Sequence, residues 1–278
     1  MASWLETMGV IVVAWVGIAL GRRSQRIGAP FWAVGYLFSL GLIVIIAFGR
    51  SDQTLQFTPP FSWIVSGRLR LMALALAISL GASTVLPRLP KVWEKAVVSL
   101  VMISFVLWSA VLPALAPVLL RNQLAHLETT LDADGVCLQT TKYTCGPAAA
   151  VTALKRLGLP AAEGELAILS HASPMTGTLP ARLCQALRDR YAQEGLTCDY
   201  RPFESVSQLA GPGITLAVIR EAFLLDHCVA VLGVSDEIVT IADPGIGIRM
   251  ISRTRFEAMW RFRGILLQRD ASATPHQT

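Results

Sequence analysis

The sequence predicts two units of different class: an α-helical membrane unit of about four spans over residues 1–121, then an α/β (α+β) domain over residues 135–270. Three observations carry this. Of 278 residues, 53% are hydrophobic and only 15% are charged, against about 25% charged in an ordinary soluble chain, and the mean hydropathy is +0.53. The charge is segregated: residues 1–120 hold nine basic and three acidic side chains, the remainder fifteen and sixteen, so the net +5 comes from the first part. Strand-period and capped helical patterns appear only in the second part. This composition excludes a disordered chain, a collagen and a coiled coil. The early basic residues flank apolar stretches instead of covering a folded face, so no nucleic-acid partner is expected.

Four apolar stretches make up the first unit: Met8–Leu20, Phe31–Gly49, Leu71–Leu86 and Ala96–Leu120, the last interrupted by Pro113 and Pro117. The second and fourth reach the roughly 20 residues that cross a bilayer; the first and third are shorter and carry small residues, which suits packing against neighbouring helices. The first stretch does not read as a cleaved signal peptide, because Met1–Thr7 carries only Glu6 and the arginines Arg22, Arg23 and Arg26 follow the apolar run. Loop three adds Arg88, Lys91 and Lys95, whereas loop two has Arg50, Arg68 and Arg70, offset in part by Asp52. Positive loops stay in the cytoplasm, so this distribution favours both termini, and the second domain, outside it.

Asn122–Gly135 is polar and reads as a linker (residues 122–134) or a short surface helix. The run Val136-Cys137-Leu138-Gln139-Thr140-Thr141-Lys142-Tyr143-Thr144-Cys145-Gly146-Pro147 then leads into the helix formers Ala148–Leu157, with Gly158 and Pro160 as the stop. Pro147 suits a first helical turn, so Cys145 falls at a helix N-terminus. The free N–H groups and positive dipole end there favour a thiolate, which is a good nucleophile. A cysteine in such a place is also often an ordinary buried residue, so a base is needed.

Asp226–Val234 reads as a buried strand, Ser235-Asp236 as a turn, and Glu237–Ala242 as a second strand stopped by Asp243-Pro244-Gly245. A hairpin of these strands puts His227 opposite Asp243 or Pro244. An imidazole and a carboxylate would then meet, which is the base and orienting group that a cysteine nucleophile requires.

These residues resemble a family. Gln139 in a Gln-x-x-x-x-x-Cys-Gly-Pro-Ala pattern, His227 opening a Val-rich strand, an Ala-Asp-Pro closing the next, and Thr176-Gly177-Thr178-Leu179 between them look like the bacteriocin-processing cysteine peptidases. Those are papain-like enzymes that cut double-glycine leader peptides. The resemblance covers about half of the chain. It implies a papain-like cysteine peptidase domain with Cys145 as nucleophile, His227 as general base and acid, Asp243 as the orienting group and Gln139 as a side-chain donor to the oxyanion, beside the Cys145 backbone N–H. It further implies a peptide or protein substrate, a bacterial inner (plasma) membrane location as a multi-pass protein, a bilayer around the spans and an export-system partner. An alternative is a peptide-binding accessory module of such a system. The best-known members place the peptidase before their spans and carry an ATPase. Here the apolar stretches come first, and no Gly-x-x-x-x-Gly-Lys-Ser/Thr occurs, so ATP is not an expected ligand.

The rest fits the α/β reading. Leu179, Leu183, Leu187 and Tyr191 mark a helix, Leu196–Arg201 and Ile214–Arg220 strands, Ser252–Trp260 a helix capped by Ser252, Gly264–Gln268 a last strand, and 271–278 a polar tail. His126, His171 and His276 lie in no metal-ligand spacing, so neither metal nor cofactor is expected. Cys137, Cys184, Cys198 and Cys228 are either buried thiols or two disulfides. Of the possible bridges Cys184–Cys198 is favoured, and Cys228 faces away from His227 on its strand.

Overall fold

The structure, a computed structural model, describes residues 2–26, 31–51, 57–58, 68–222 and 225–270. Asp52, His276 and the tail 271–278 lie outside the described residues. The chain divides into two compact units, Met1–Leu119 and Leu120–Thr278.

The first unit is helical. It comprises α1 (Ala2–Arg26), α2 (Phe31–Ser51), α3 (Arg68–Val85), α4 (Val92–Val106), a π turn (Leu107–Val111) and α5 (Leu112–Leu119). Small residues let α1 and α3 meet at close range. A methyl group at Gly17 would overlap the Ser79 hydroxyl, and one at Gly21 would overlap Ser83. The serines satisfy their own hydroxyls on backbone carbonyls, Ser79 on Ala75 and Ser83 on Ser79, both at 2.6 Å. Four membrane spans were expected here. Among the described residues one helix, Leu69–Arg88, is long and apolar enough to cross a membrane, and Ala33–Phe48 is a shorter apolar helix. The fourth stretch is interrupted by the π turn, which leaves 15 and eight residues of α-helix on either side.

In the second unit a six-stranded antiparallel sheet has the order β3-β8-β4-β5-β6-β7, with β3 Leu196–Pro202, β4 Ile214–Ala222, β5 Leu225–Val234, β6 Ile238–Asp243, β7 Gly247–Ser252 and β8 Trp260–Arg269. Strand alternation gives it two apolar faces. Leu216, Ala230, Ala242, Ile265 and Leu267 pack with α7 (Cys145–Arg156) and α9 (Pro180–Tyr191). Ala217, Ile219, Val229, Val231 and Ile241 pack on the other side with Phe256 of α10 (Arg253–Met259) and with Val206 and Leu209. The alanines of α7, all fully buried, let that helix lie close on the sheet. Gly158, in the left-handed region at φ +73°, ends α7: its N–H reaches Lys155 O at 3.1 Å and Leu159 N–H reaches Leu154 O at 2.9 Å, a Schellman closure. Ser252 caps α10 by accepting from Arg255 N–H.

The polar segment before the domain is itself packed. It forms α6 (Arg121–Ala125) and a short ribbon, β1 (Thr130–Leu131) with β2 (Cys137–Leu138). Leu124 is buried against Ala167 of α8 (Glu163–Leu169). Strand β7 and helix α8 were not read from the sequence. All five cysteines are free thiols, so the favoured Cys184–Cys198 bridge is absent and both residues serve the α7-side core.

Candidate active site

Cys145 opens α7, at the end of a turn that Thr144 closes. The Thr144 hydroxyl donates to Thr141 O at 3.0 Å and accepts from Thr141 N–H at 3.2 Å, while Thr144 O takes the first helical hydrogen bond from Ala148 N–H at 3.0 Å. This arrangement presents the sulfur beside the first N–H groups of a twelve-residue helix.

His227 lies on β5 and Asp243 ends β6. Their hairpin does not have the expected register. Ala230 pairs with Ala242, a bulge follows Val231, and Val234 pairs with Val239. The pairs are displaced by one to three positions from the simple count, because the bulge adds a residue to β5 and β6 begins at Ile238. The two side chains still meet: His227 Nε2 donates to Asp243 Oδ1 at 2.8 Å, and both residues are buried. Cys145 lines the same cleft and is the other side chain whose interaction raises the imidazole, and Nδ1 is the ring nitrogen that Asp243 does not use. Glu221 Oε2 stands 4.0 Å from Nδ1.

Asp243 is held on all sides. Gly245 N–H donates to Oδ1 at 2.9 Å and the Arg249 guanidinium to Oδ2 at 3.1 Å, across the tight turn between β6 and β7. Burial alone would raise this carboxyl, but the bonds from His227, Gly245 and Arg249 outweigh it and hold the pKa at about 2. Burial likewise opposes a charged imidazole, yet the bond to Asp243 and the interaction with Cys145 prevail and raise His227 from 6.5 to about 10. The imidazole is therefore a cation at neutral pH, paired with an ionised carboxylate.

Gln139 enters the same space from the loop after β2. Its N–H donates to Pro244 O at 2.8 Å, which ties it to the Asp243 turn. Its side-chain amide oxygen is buried without a partner. Gln139, Cys145, His227 and Asp243 all line one cleft of about 1120 Å³, whose rim includes the exposed Leu225 and Ile246. The structure thus brings all four sequence-derived candidates together. Cys228, as expected, packs on the α7-side core and is not among the lining residues. Burial pushes the thiols of Cys137 and Cys198 up to about 12, and those of Cys184 and Cys228 upward too. His126 bonds to Asn122 O and His171 to Arg182. Among the described residues no group of His, Cys, Asp and Glu could hold a metal ion.

Sequence reading missed Arg249, Glu163 and Glu221. For Arg249 a signal existed: Gly245-Ile246-Gly247 is a turn, and the alternation that follows it is a strand pattern that returns Arg249 past Asp243. Nothing local marks Glu163 or Glu221.

Several known proteins are similar to this chain. An uncharacterised protein of Methanothermobacter marburgensis is 26% identical over 144 residues, covering 52% of this chain and 95% of that protein. A second, from Methanothermobacter thermautotrophicus, is 26% identical over 147 residues, with 51% and 94% covered. Among solved structures, similarity is found to the peptidase domain of Streptococcus ComA, a bi-functional ABC transporter involved in a quorum-sensing pathway (20% identity, TM-score 0.43, 48% of this chain and 96% of that one). A double-glycine-motif protease from an AMS/PCAT transporter, in complex with the leader peptide, is similar at 15% identity and TM-score 0.42, with 52% and 96% covered. The Peptidase C39 family profile matches residues 134–273, which run from the β1–β2 turn past the end of β8 and contain every side chain named in the cleft. With half of its length inside that match, the chain belongs to the Peptidase C39 family and is a cysteine peptidase.

Proposed function

We propose that this protein is a membrane-anchored cysteine peptidase that cleaves a peptide bond in a peptide or protein substrate, with leader removal linked to export as its task. The observation that carries the chemistry is the arrangement around His227: Asp243 at 2.8 Å on Nε2, with Cys145 and Gln139 in the same cleft.

Cys145 sulfur adds to the scissile carbonyl carbon. The oxygen that becomes negative accepts from the Gln139 side-chain amide and the Cys145 N–H. The C–N bond breaks as the His227 imidazolium passes its proton to the leaving amine, leaving a thioester. Water then attacks the thioester carbon, giving its proton to neutral His227, and the acid departs as the thiolate is restored. Asp243 keeps the ring oriented and supports its charged form without taking the proton.

The anchoring reading places four spans in residues 1–121, a linker at 122–134, both termini outside the cytoplasm and the peptidase domain outside the plasma membrane. Its support is an outward apolar surface on the first unit, where Trp15 is 71% exposed, Val92 82% and Leu100 65%, a surface suited to lipid. An export-system partner is part of the same proposal, in keeping with the similar ComA and AMS/PCAT domains, which belong to transporters.

The test is incubation of the purified full chain with synthetic peptides containing an internal Gly-Gly, read by mass spectrometry. Cleavage by the wild type that is abolished in Cys145→Ala supports the reading. Intact peptides, together with a Cys145 that resists iodoacetamide at neutral pH, reject it.

A further inference from the structure

Glu163 is a fully buried carboxylate with no ion pair among the described residues. A buried carboxylate is costly unless its oxygens are well supplied with donors. Here both donors come from one residue: Thr140 N–H reaches Oε1 at 2.9 Å and the Thr140 hydroxyl reaches Oε2 at 2.8 Å. Thr140 is the residue after Gln139. The Gln139 backbone is thus pinned on both flanks, by Pro244 O on its own N–H and by Glu163 on the next. Because the Thr140 hydroxyl can accept as well as donate, a glutamine at 163 could keep both contacts, whereas removing the side chain breaks both. Glu163 is itself fixed, since its N–H donates to Thr129 Oγ1 at 2.9 Å. The Thr140 hydroxyl also lies 3.1 Å from Glu128 O. Helix α8 carries Glu163 and is seated by Leu124, whose backbone passes where Gly164 has no side chain.

We propose that Glu163 is a positioning residue for the oxyanion site, acting through Thr140 to aim the Gln139 amide. This rests on the reading of Gln139 as an oxyanion donor. The role separates two reactions of one sulfur. Acylation by an ester develops an oxyanion and needs Gln139; alkylation by iodoacetamide develops none.

The experiment measures both on the full chain: the p-nitrophenol burst from N-acetyl-glycylglycine p-nitrophenyl ester, and the alkylation rate of Cys145. Glu163→Ala, which removes both bonds to Thr140, is expected to slow the burst about 10- to 100-fold, the scale of a misaimed catalytic group, while alkylation stays within about twofold. In a Gln139→Ala background the same substitution should add less than about a twofold loss, because residues acting as a unit are not additive. An equal loss in both backgrounds, an unchanged burst, or a parallel fall in alkylation would overturn the role. If Glu163→Ala does not fold, Thr140→Val keeps one of the two bonds; a smaller loss confined to the burst supports the role, and a wild-type burst rejects it. A wild type that is alkylated yet gives no Cys145-dependent burst removes the peptidase reading itself, and is seen before any Glu163 variant is made.

Discussion

Arg249 donates to Oδ2 of Asp243 at 3.1 Å, the oxygen that His227 does not use. The carboxylate is therefore bound at both oxygens, and its Oδ1 stays aimed at the imidazole. Hydrogen bonds to charged groups contribute about 1.5–3 kcal/mol. Arg249→Gln should lower kcat/KM about 10-fold by loosening Asp243. It should also move acid sensitivity. A carboxyl held at about 2 adds stability that is present above its unfolded value and lost as pH falls towards 2. Without Arg249 the folded value rises, so that loss should be smaller and should level off at higher pH, read from unfolding midpoints between pH 2 and 5. Identical acid profiles would place Arg249 outside the site.

The raised His227 sets the alkaline limit. Its folded value of about 10 keeps the ring protonated through neutrality, and the stability from its pairing with Asp243 is fully present below pH 6.5 and lost as pH rises through about 10. Because the leaving amine takes that proton, kcat/KM should fall on the same alkaline limb. Asp243→Asn removes a support of the charged ring, so the limb should move to lower pH. A limb that stays put would deny Asp243 its role.

Thiol reactivity should sort the five cysteines. Burial raises Cys137, Cys184, Cys198 and Cys228, whereas Cys145 lines the cleft. At neutral pH iodoacetamide should modify Cys145 well before the other four, as counted by peptide mass mapping, and His227→Ala should slow it. Uniform labelling would contradict this ordering.

Reporter fusions test the anchoring. Fusions after residues 30 and 90 should report cytoplasm, and fusions near residues 60 and 125 the outer side. A cytoplasmic signal at residue 125 would reverse the orientation and place the peptidase domain inside the cell.

Local chemistry explains what the sequence disclosed. Cys145 is marked by a turn, a proline in the first helical turn and a run of alanines, all within a dozen residues. His227 and Asp243 are sixteen residues apart on adjacent strands, so strand pattern alone brings them near each other. The register was misjudged because a bulge leaves no local trace in Val231-Leu232-Gly233. Glu163 was invisible for a different reason: an acid at a helix start reads as a solvated dipole partner, and only the tertiary fold buries it under Thr140. In the first unit, composition disclosed the apolar helices but not the π turn that interrupts the fourth stretch.

The most direct measurement is acid-quench trapping of the acyl-enzyme formed with N-acetyl-glycylglycine p-nitrophenyl ester, located by mass mapping in wild type, Gln139→Ala and Cys145→Ala. The expected result is one acyl group per chain, on the Cys145 peptide. It should form about 100- to 1000-fold more slowly in Gln139→Ala, the usual loss for one oxyanion donor, and be absent in Cys145→Ala. An acyl group on another cysteine, or formation at wild-type rate in Cys145→Ala, would contradict the assignment of Cys145 as the nucleophile of this peptidase.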